Sequence, residues 1–242
     1  MIYHVLPGDA QVADFQETGL EGEMLVCREA FIEGDLSGDT LDEFFSTRAA
    51  FIKQTSHEDT SDYSVKVASQ FRPLRDLIGS DELNLWFEYE LFCAVNMWFC
   101  LSLVEHSGAV VYRVPPAHFT YEDRWYGFGN ADAEMLRECF THRLRLADSE
   151  IALGADLWRA FKRRDGETIL RLTSTPTEVF PYLDEVGRAA ARLDSLPAEI
   201  IAEIKSEGIN NFSEIFSEFR RRAGVFGFGD AQVRNLMQSE QA

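Results

Sequence analysis

Two glutamates, Glu88 and Glu90, stand one residue apart in the stretch LWFEYELFCAVN (85–96), between flanks apolar enough for a core. If the chain stayed extended here, both carboxylates would point to the face that carries Trp86, and burying two unpaired charges would be very costly. The inexpensive arrangement ends a strand near Phe87 and places Glu88 and Glu90 in the turn and first turn of a following helix, where the helix dipole favours acids. In that setting they either cap the helix or meet a ligand. As functional groups they would bind a divalent cation or serve as acid and base, and their proximity would push one of the two pKa values upward.

Other residues of suitable chemistry gather around this pair in the predicted topology. Gly8-Asp9 follows a short apolar run and precedes a helical pattern. A glycine lets the backbone approach a phosphate or ribose, and a helix N-terminus favours anions, although Asp9 also suits an N-cap. Arg28-Glu29 follows a second apolar run. Arg48 interrupts the small apolar side of its helix, where it would neutralise an acid, hold a phosphate or make a surface ion pair. Asn96 shares a helix face with Phe92 and Cys100 and needs a hydrogen-bond partner, either a neighbouring backbone group or a ligand. His4 would reach the same edge or stay in the core. No three-glycine dinucleotide fingerprint, Walker A loop or GxSxG elbow occurs, and no Cys–His pairing is legible from spacing, so nucleophilic hydrolysis is not indicated.

The elements that must position these groups follow from periodicity. IYHVL (2–6), EMLV at the start of 23–32, LNLWF (83–87) and AVVYRV (109–114) read as strands, and their runs are continuous rather than alternating. Helical spacing separates them: DAQVADFQETG, TLDEFFSTRAAFIKQ (40–54) with a Thr40/Glu43 capping box, VKVASQFRPLRDLIG with a break near Pro73, and LFCAVNMWFCLSLVEHSG (91–108), apolar nearly all round. Strands alternating with helices and buried on both faces predict a parallel sheet in a small three-layer α/β domain over residues 1–120. From about 130 the strand signals stop, and residues 121–242 read as a helical region, with Asn130, Asp148, Ser213 and Asp230 as N-caps. TSHEDTSDY (55–63) reads as a surface loop, and the aromatic, glycine-rich join at 115–130 as an ordered one. In parallel α/β sheets ligands bind beyond the carboxyl ends of the strands, so Asp9, Glu29, Glu88 and Glu90 would converge on one edge.

Composition narrows the partners. The 242 residues are 45% hydrophobic, enough for a substantial core, and 41 acids against 23 bases give a net charge of −18. Such a surface repels phosphate backbones, which makes nucleic acid and anionic membranes unlikely partners. Arg163-Arg164 and Arg220-Arg221-Arg222 are the only basic clusters and read as solvated helix faces near C-termini. Cys27, Cys93, Cys100 and Cys139 form no CxxC pair or zinc-like spacing, so reduced, buried thiols are expected. No signal peptide is legible at MIYHVLPGDA, and the apolar run Leu91 to Val104 is too short to span a bilayer, so a cytoplasmic protein is expected.

An internal echo links YGFGNADAEML (126–136) with VFGFGDAQVRNLM (225–237). Each is an aromatic Gly-Phe-Gly turn, a capping residue and a helix, and reads either as convergent turn chemistry or as a duplicated unit. HVLPGDA (4–10), GEMLVCREAFIEGD (22–35), EFFSTRAAFI (43–52) and LWFEYELFCAVN (85–96), with these two turns, make the chain similar to an uncharacterised bacterial family, domain of unknown function 1835. That resemblance spans nearly the whole chain and brings no known reaction. It implies that Asp9, Glu29, Arg48, Glu88 and Asn96 belong to one constellation. Family members carry Asp where this chain has Glu90, and Gln where it has Ala94. If that Gln works in the relatives, Ala94 marks a lost or shifted activity.

The leading expectation is a small-molecule site for a nucleotide or phosphoester. Asp9, Glu88 and Glu90 would be the catalytic or cation-binding groups, and Gly8, Arg28, Glu29, Arg48 and Asn96 the substrate-binding ones. A divalent cation is the only cofactor suggested. The alternative is a non-catalytic regulatory or interaction module with a protein partner, in which the acids are caps.

Overall fold

A computed structural model describes residues 1–55, 60–116 and 120–239 of the chain. Four short strands, β1 (Ile2–Leu6), β2 (Glu23–Val26), β3 (Glu82–Leu85) and β4 (Val110–Arg113), pair in parallel in the order β2-β1-β3-β4. A fifth, β5 (Leu144–Arg145), adds antiparallel to β4. The helices between them are α1 (Val12–Glu17), α2 (Leu41–Thr55), α3 (Ser69–Arg75), α4 (Leu91–Val104) and α5 (Ala133–Thr141). Six more follow: α6 (Asp148–Lys162), α7 (Gly166–Leu172), α8 (Leu183–Ala191), α9 (Leu196–Ser206), α10 (Phe212–Ala223) and α11 (Asp230–Ser239). The molecule is an α/β protein with a helical C-terminal region.

The strands alternate between two cores, which is why their sequences are mostly apolar, interrupted by the buried His4, Asn84 and Arg113. Tyr3, Val5, Leu83 and Leu85 enter the larger core with the residues of α4 and α6, while Leu6 and Trp86 enter a smaller one with Phe15 of α1 and Leu136 and Cys139 of α5. Thus α1 and α5 cover one face, and α3 and α4 the other. Helix α4 is buried along nearly its whole length because α6 lies across its outer side. Gly154 of α6 permits this approach: a β-carbon there would sit 2.3 Å from Leu101 Cδ1.

Three expectations change here. Strand signals were expected to end by about 130, but β5 and the α5 that precedes it belong to the sheet layers, so the expected boundary at 120 falls within them. A two-residue strand carries too little periodicity to be seen in sequence. The N-caps also shift. Asp132 caps α5 and Asn211 caps α10, rather than Asn130 and Ser213, and Ala147 rather than Asp148 precedes α6. The Thr40/Glu43 capping box is present, with Glu43 N–H donating to Thr40 Oγ1 at 3.2 Å and Thr40 N–H to Glu43 Oε2 at 3.0 Å. Pro73 lies within α3 and does not end it; a π-helical turn at Ser64–Ala68 leads into that helix. Parts of the two expected loops, 55–63 and 115–130, lie outside the described residues, as do His57 and His118. Among the described residues no helix is long and apolar enough to cross a membrane.

Candidate functional site at the β1/β3 switch

Strand order reverses between β1 and β3: the chain leaves β1 toward β2 on one side and returns to β3 on the other. Such a reversal opens a crevice at the carboxyl ends of the two strands. Residues 7–11 descend from β1 into one wall, and Glu88-Tyr89-Glu90 descends from β3 into the other. The register Val5↔Leu85 sets both departures at the same level.

The EYE segment is the strand-to-helix hinge. Glu90 is the N-cap of α4, with Cys93 N–H donating to its Oε1 at 2.9 Å. That satisfies one oxygen only. Its Oε2 is buried without a hydrogen-bond partner, in a residue just 4% exposed. Glu88 Oε1 accepts from Phe128 N–H at 2.6 Å. The hinge is held from below by Arg113, the last residue of β4, which donates to the carbonyls of Glu88 (2.8 Å) and Val179 (2.8 Å) and packs over the ring of Tyr89.

The two echoing turns meet at this pair. Gly127 (φ +61°) lies so close to Glu88 that a β-carbon would be 1.9 Å from its Cδ, and Gly227 (φ +68°) places the same position 2.1 Å from Glu90 Cγ. Each Gly-Phe-Gly turn therefore seats a left-handed glycine on one glutamate. Glycine is required twice over, by dihedral and by space. The turns are not equivalent beyond that. Phe128 donates its N–H to Glu88 and sends its ring toward Trp86, whereas Phe228 stacks on Phe219 and makes no hydrogen bond to Glu90 among the described residues.

The pair stands between two cavities. One, of about 500 Å³, is lined by Pro7, Gly8, Gln11, Phe92, Cys93 and Asn130 among others. The second, of about 640 Å³, opens toward Trp125, Tyr126, Arg220 and Phe228. Glu88, Glu90 and Gly227 wall both. Gln11 faces the first with its amide N and O both buried and unpartnered. Burial, then the nearby Glu90 charge, pushes the Glu88 carboxyl up to about 8. Burial likewise raises Glu90, and burial followed by the two carboxylates holds the Cys93 thiol well above its usual value. Glu88, Glu90 and Cys93 offer donor atoms that all lie within 4.8 Å of one another. A separate hollow of about 510 Å³ beside α6 and α7 has its Lys162 and Arg164 already engaged, with Gly38 O and Asp194.

The other residues expected in the constellation do not join this pair. Asp9 sits on the same sheet edge, but its carboxylate turns outward to Arg28, which donates to both oxygens through Nε at 2.9 Å. It neither caps a helix nor lines the cavities beside Glu88. Arg28 is spent on Asp9 and the carbonyl of Lys66. Gly8 does line the crevice, with open space where a β-carbon would be.

Glu29 and Arg48 form a buried ion pair at 2.8 Å, with side chains 0% and 1% exposed. Every guanidinium N–H of Arg48 is committed: Nε and Nη2 to Glu29, Nη2 also to Ala30 O, and Nη1 to the carbonyls of Glu33 and Asp35. Tyr63 O–H also donates to Glu29 Oε1. Asn96 Nδ2 donates to Glu29 O at 2.8 Å and its Oδ1 accepts from Phe31 N–H at 3.2 Å. Of the alternatives open for Arg48 and Asn96, the structure shows the structural ones: Arg48 neutralises Glu29, Asn96 bonds the backbone of Glu29 and Phe31, and together they fold the 28–36 loop against α2 and α4.

Ala94 lies on the opposite side of α4 from the crevice, against Arg113 and Phe180, beside a void of only about 20 Å³. A residue there faces the support of the hinge rather than the carboxylates. Gln11, Cys93 and Arg113 were not among the expected site residues. The echo of the Gly-Phe-Gly turns was the available signal for the site, but spacing alone could not say what the turns rest on. Family models, curated proteins and solved structures all return no match to this chain.

Proposed function

We propose that the crevice at the β1/β3 switch binds a small molecule of the nucleotide or phosphoester class, with Glu88 and Glu90 as its floor. The observation that carries this is Glu90 Oε2: a carboxylate oxygen buried without a partner, in a residue that walls two cavities large enough for such a ligand. A buried acceptor left unpaired costs about 1–3 kcal/mol, more when charged, which a purely capping role would not require. Gln11, orphaned on the facing wall, supports the same reading. The resemblance to domain of unknown function 1835 belongs to this proposal and adds no reaction to it. A cytoplasmic setting is part of it too, supported by four free, buried cysteines.

Calorimetric titration of the full chain with nucleoside mono- and diphosphates and sugar phosphates, run in separate series with Mg²⁺, Mn²⁺ and Zn²⁺ present, tests the proposal. Heat from at least one ligand, lost in Glu90→Gln and weakened in Gln11→Leu, is expected. Silence across the panel, or binding indifferent to both substitutions, sinks it and leaves the protein-interaction reading in its place.

A further inference from the structure

In the cavity that Cys93 lines, which has no Lys or Arg in its walls, a floor of two carboxylates repels an anionic ligand unless a cation stands between them, and the donor set here is not made of carboxylates alone. Cys93 lies one helical turn into α4, directly after the capped hinge. It lines the same cavity as the two glutamates, with all three donor atoms within 4.8 Å of one another. Each carboxylate keeps one oxygen free of hydrogen bonds among the described residues, because its other oxygen is occupied by a backbone N–H, from Phe128 for Glu88 and from Cys93 for Glu90. Those N–H bonds would orient the carboxylates as outer hydrogen bonds orient metal ligands. The Glu90 oxygen that remains is buried and unpartnered.

We infer that Glu88, Glu90 and Cys93 form a three-donor site for a borderline divalent transition metal such as Zn²⁺ or Co²⁺, with its open position toward the ligand crevice. This rests on the reading of the crevice as a ligand site and adds the cation that an anionic ligand would need there.

A sulfur donor with two carboxylates selects against Mg²⁺ and Ca²⁺, which take oxygen ligands, and toward metals that accept thiolate. Bonds of roughly 2.0–2.3 Å in a tetrahedral site put donors about 3.5 Å apart, so small rotamer adjustments suffice to draw these three together. On coordination the Cys93 S–H bond breaks, the sulfur keeps the electron pair that forms the metal–sulfur bond, and the proton leaves to solvent along with any proton shared by the glutamates. Three protein donors with one open position is the arrangement of zinc sites that work on a ligand, rather than of closed structural ones.

Co²⁺ alone, titrated into the full chain, is the probe. One equivalent should bind with a near-ultraviolet sulfur-to-cobalt charge-transfer band, be displaced by Zn²⁺, and be unaffected by a tenfold excess of Mg²⁺. Cys93→Ser should lose that band while retaining weaker cobalt binding; Glu90→Gln should lose binding; Cys100→Ala, altering a buried thiol further along α4, should keep both. Circular dichroism melts establish that each variant is folded, and Cys93→Ala serves if Cys93→Ser is not. Cobalt bound without the band, a band that survives in the Cys93 variant, or no binding by folded wild-type protein overturns the inference. The first two outcomes leave the ligand proposal standing. The third, joined by silence in the ligand panel, removes both.

Discussion

Placing alanine at Gly227 should destabilise the protein by two separable amounts. The left-handed backbone (φ +68°) costs an alanine about 1–2 kcal/mol relative to glycine. The new methyl would also lie 2.1 Å from Glu90 Cγ and 2.8 Å from its Oε1, an overlap that only displacement of a buried carboxylate or of the turn can relieve. Overpacking of this kind costs about 1–3 kcal/mol, so Gly227→Ala should lose about 2–5 kcal/mol in all. Gly19 supplies the control: it has the same φ of +68° and nothing within 4 Å of the added carbon, so Gly19→Ala should lose only the dihedral part. In a Glu90→Ala background the overlap disappears, and Gly227→Ala should then cost no more than Gly19→Ala. Urea unfolding followed by circular dichroism gives the stabilities of the wild type and the four variants, and the double-mutant coupling should be about 1–3 kcal/mol. If Gly227→Ala and Glu90→Ala are additive, or if Gly227→Ala costs no more than Gly19→Ala, the turn is not seated on Glu90 as described.

Arg48→Met leaves Glu29 charged and buried without its partner and should cost about 3–5 kcal/mol in urea unfolding; adding Glu29→Gln should recover part of the loss, and a cost under about 1 kcal/mol would refute the buried pair. His4 is buried with Trp86 Nε1–H donating to its Nδ1 at 3.2 Å and Nε2 directed at Glu21 O, so a second ring proton would face another N–H, and burial lowers its pKa. Because the folded pKa lies below the unfolded one, the unfolded chain binds the proton first as pH falls through about 6.5. Stability from His4 is thus full above that pH and lost below it. The wild type should lose more stability between pH 7.5 and 5.5 than His4→Gln does, and equal losses would contradict this.

Much of the fold was legible because it depends on local signals. Continuous apolar runs around His4, Leu25, Leu85 and Val111 announced strands covered on both faces, and the all-apolar α4 announced its own burial. The hinge at Glu88-Tyr89-Glu90 was read from the cost of burying two charges on a strand, yet the hinge itself buries Glu90, and burial raises the pKa of both carboxyls. The constellation was less legible. Asp9, Glu29 and Arg48 are of the right residue types at strand ends and on a neighbouring helix, but type does not reveal pairing. Arg28 claims Asp9 and Arg48 claims Glu29, each through a contact 19 residues distant.

The amino-acid sequence by itself determined the layers, the hinge and the glycines, because periodicity, burial cost and dihedral preference act over a few residues. Only the tertiary structure decided that the two Gly-Phe-Gly turns come to rest on the two hinge glutamates, one of them 40 residues away along the chain. It also decided that Glu90 keeps an oxygen unsatisfied beside Cys93. Which donor reaches which carboxylate depends on how separate elements pack, and no local pattern in the chain carries that information.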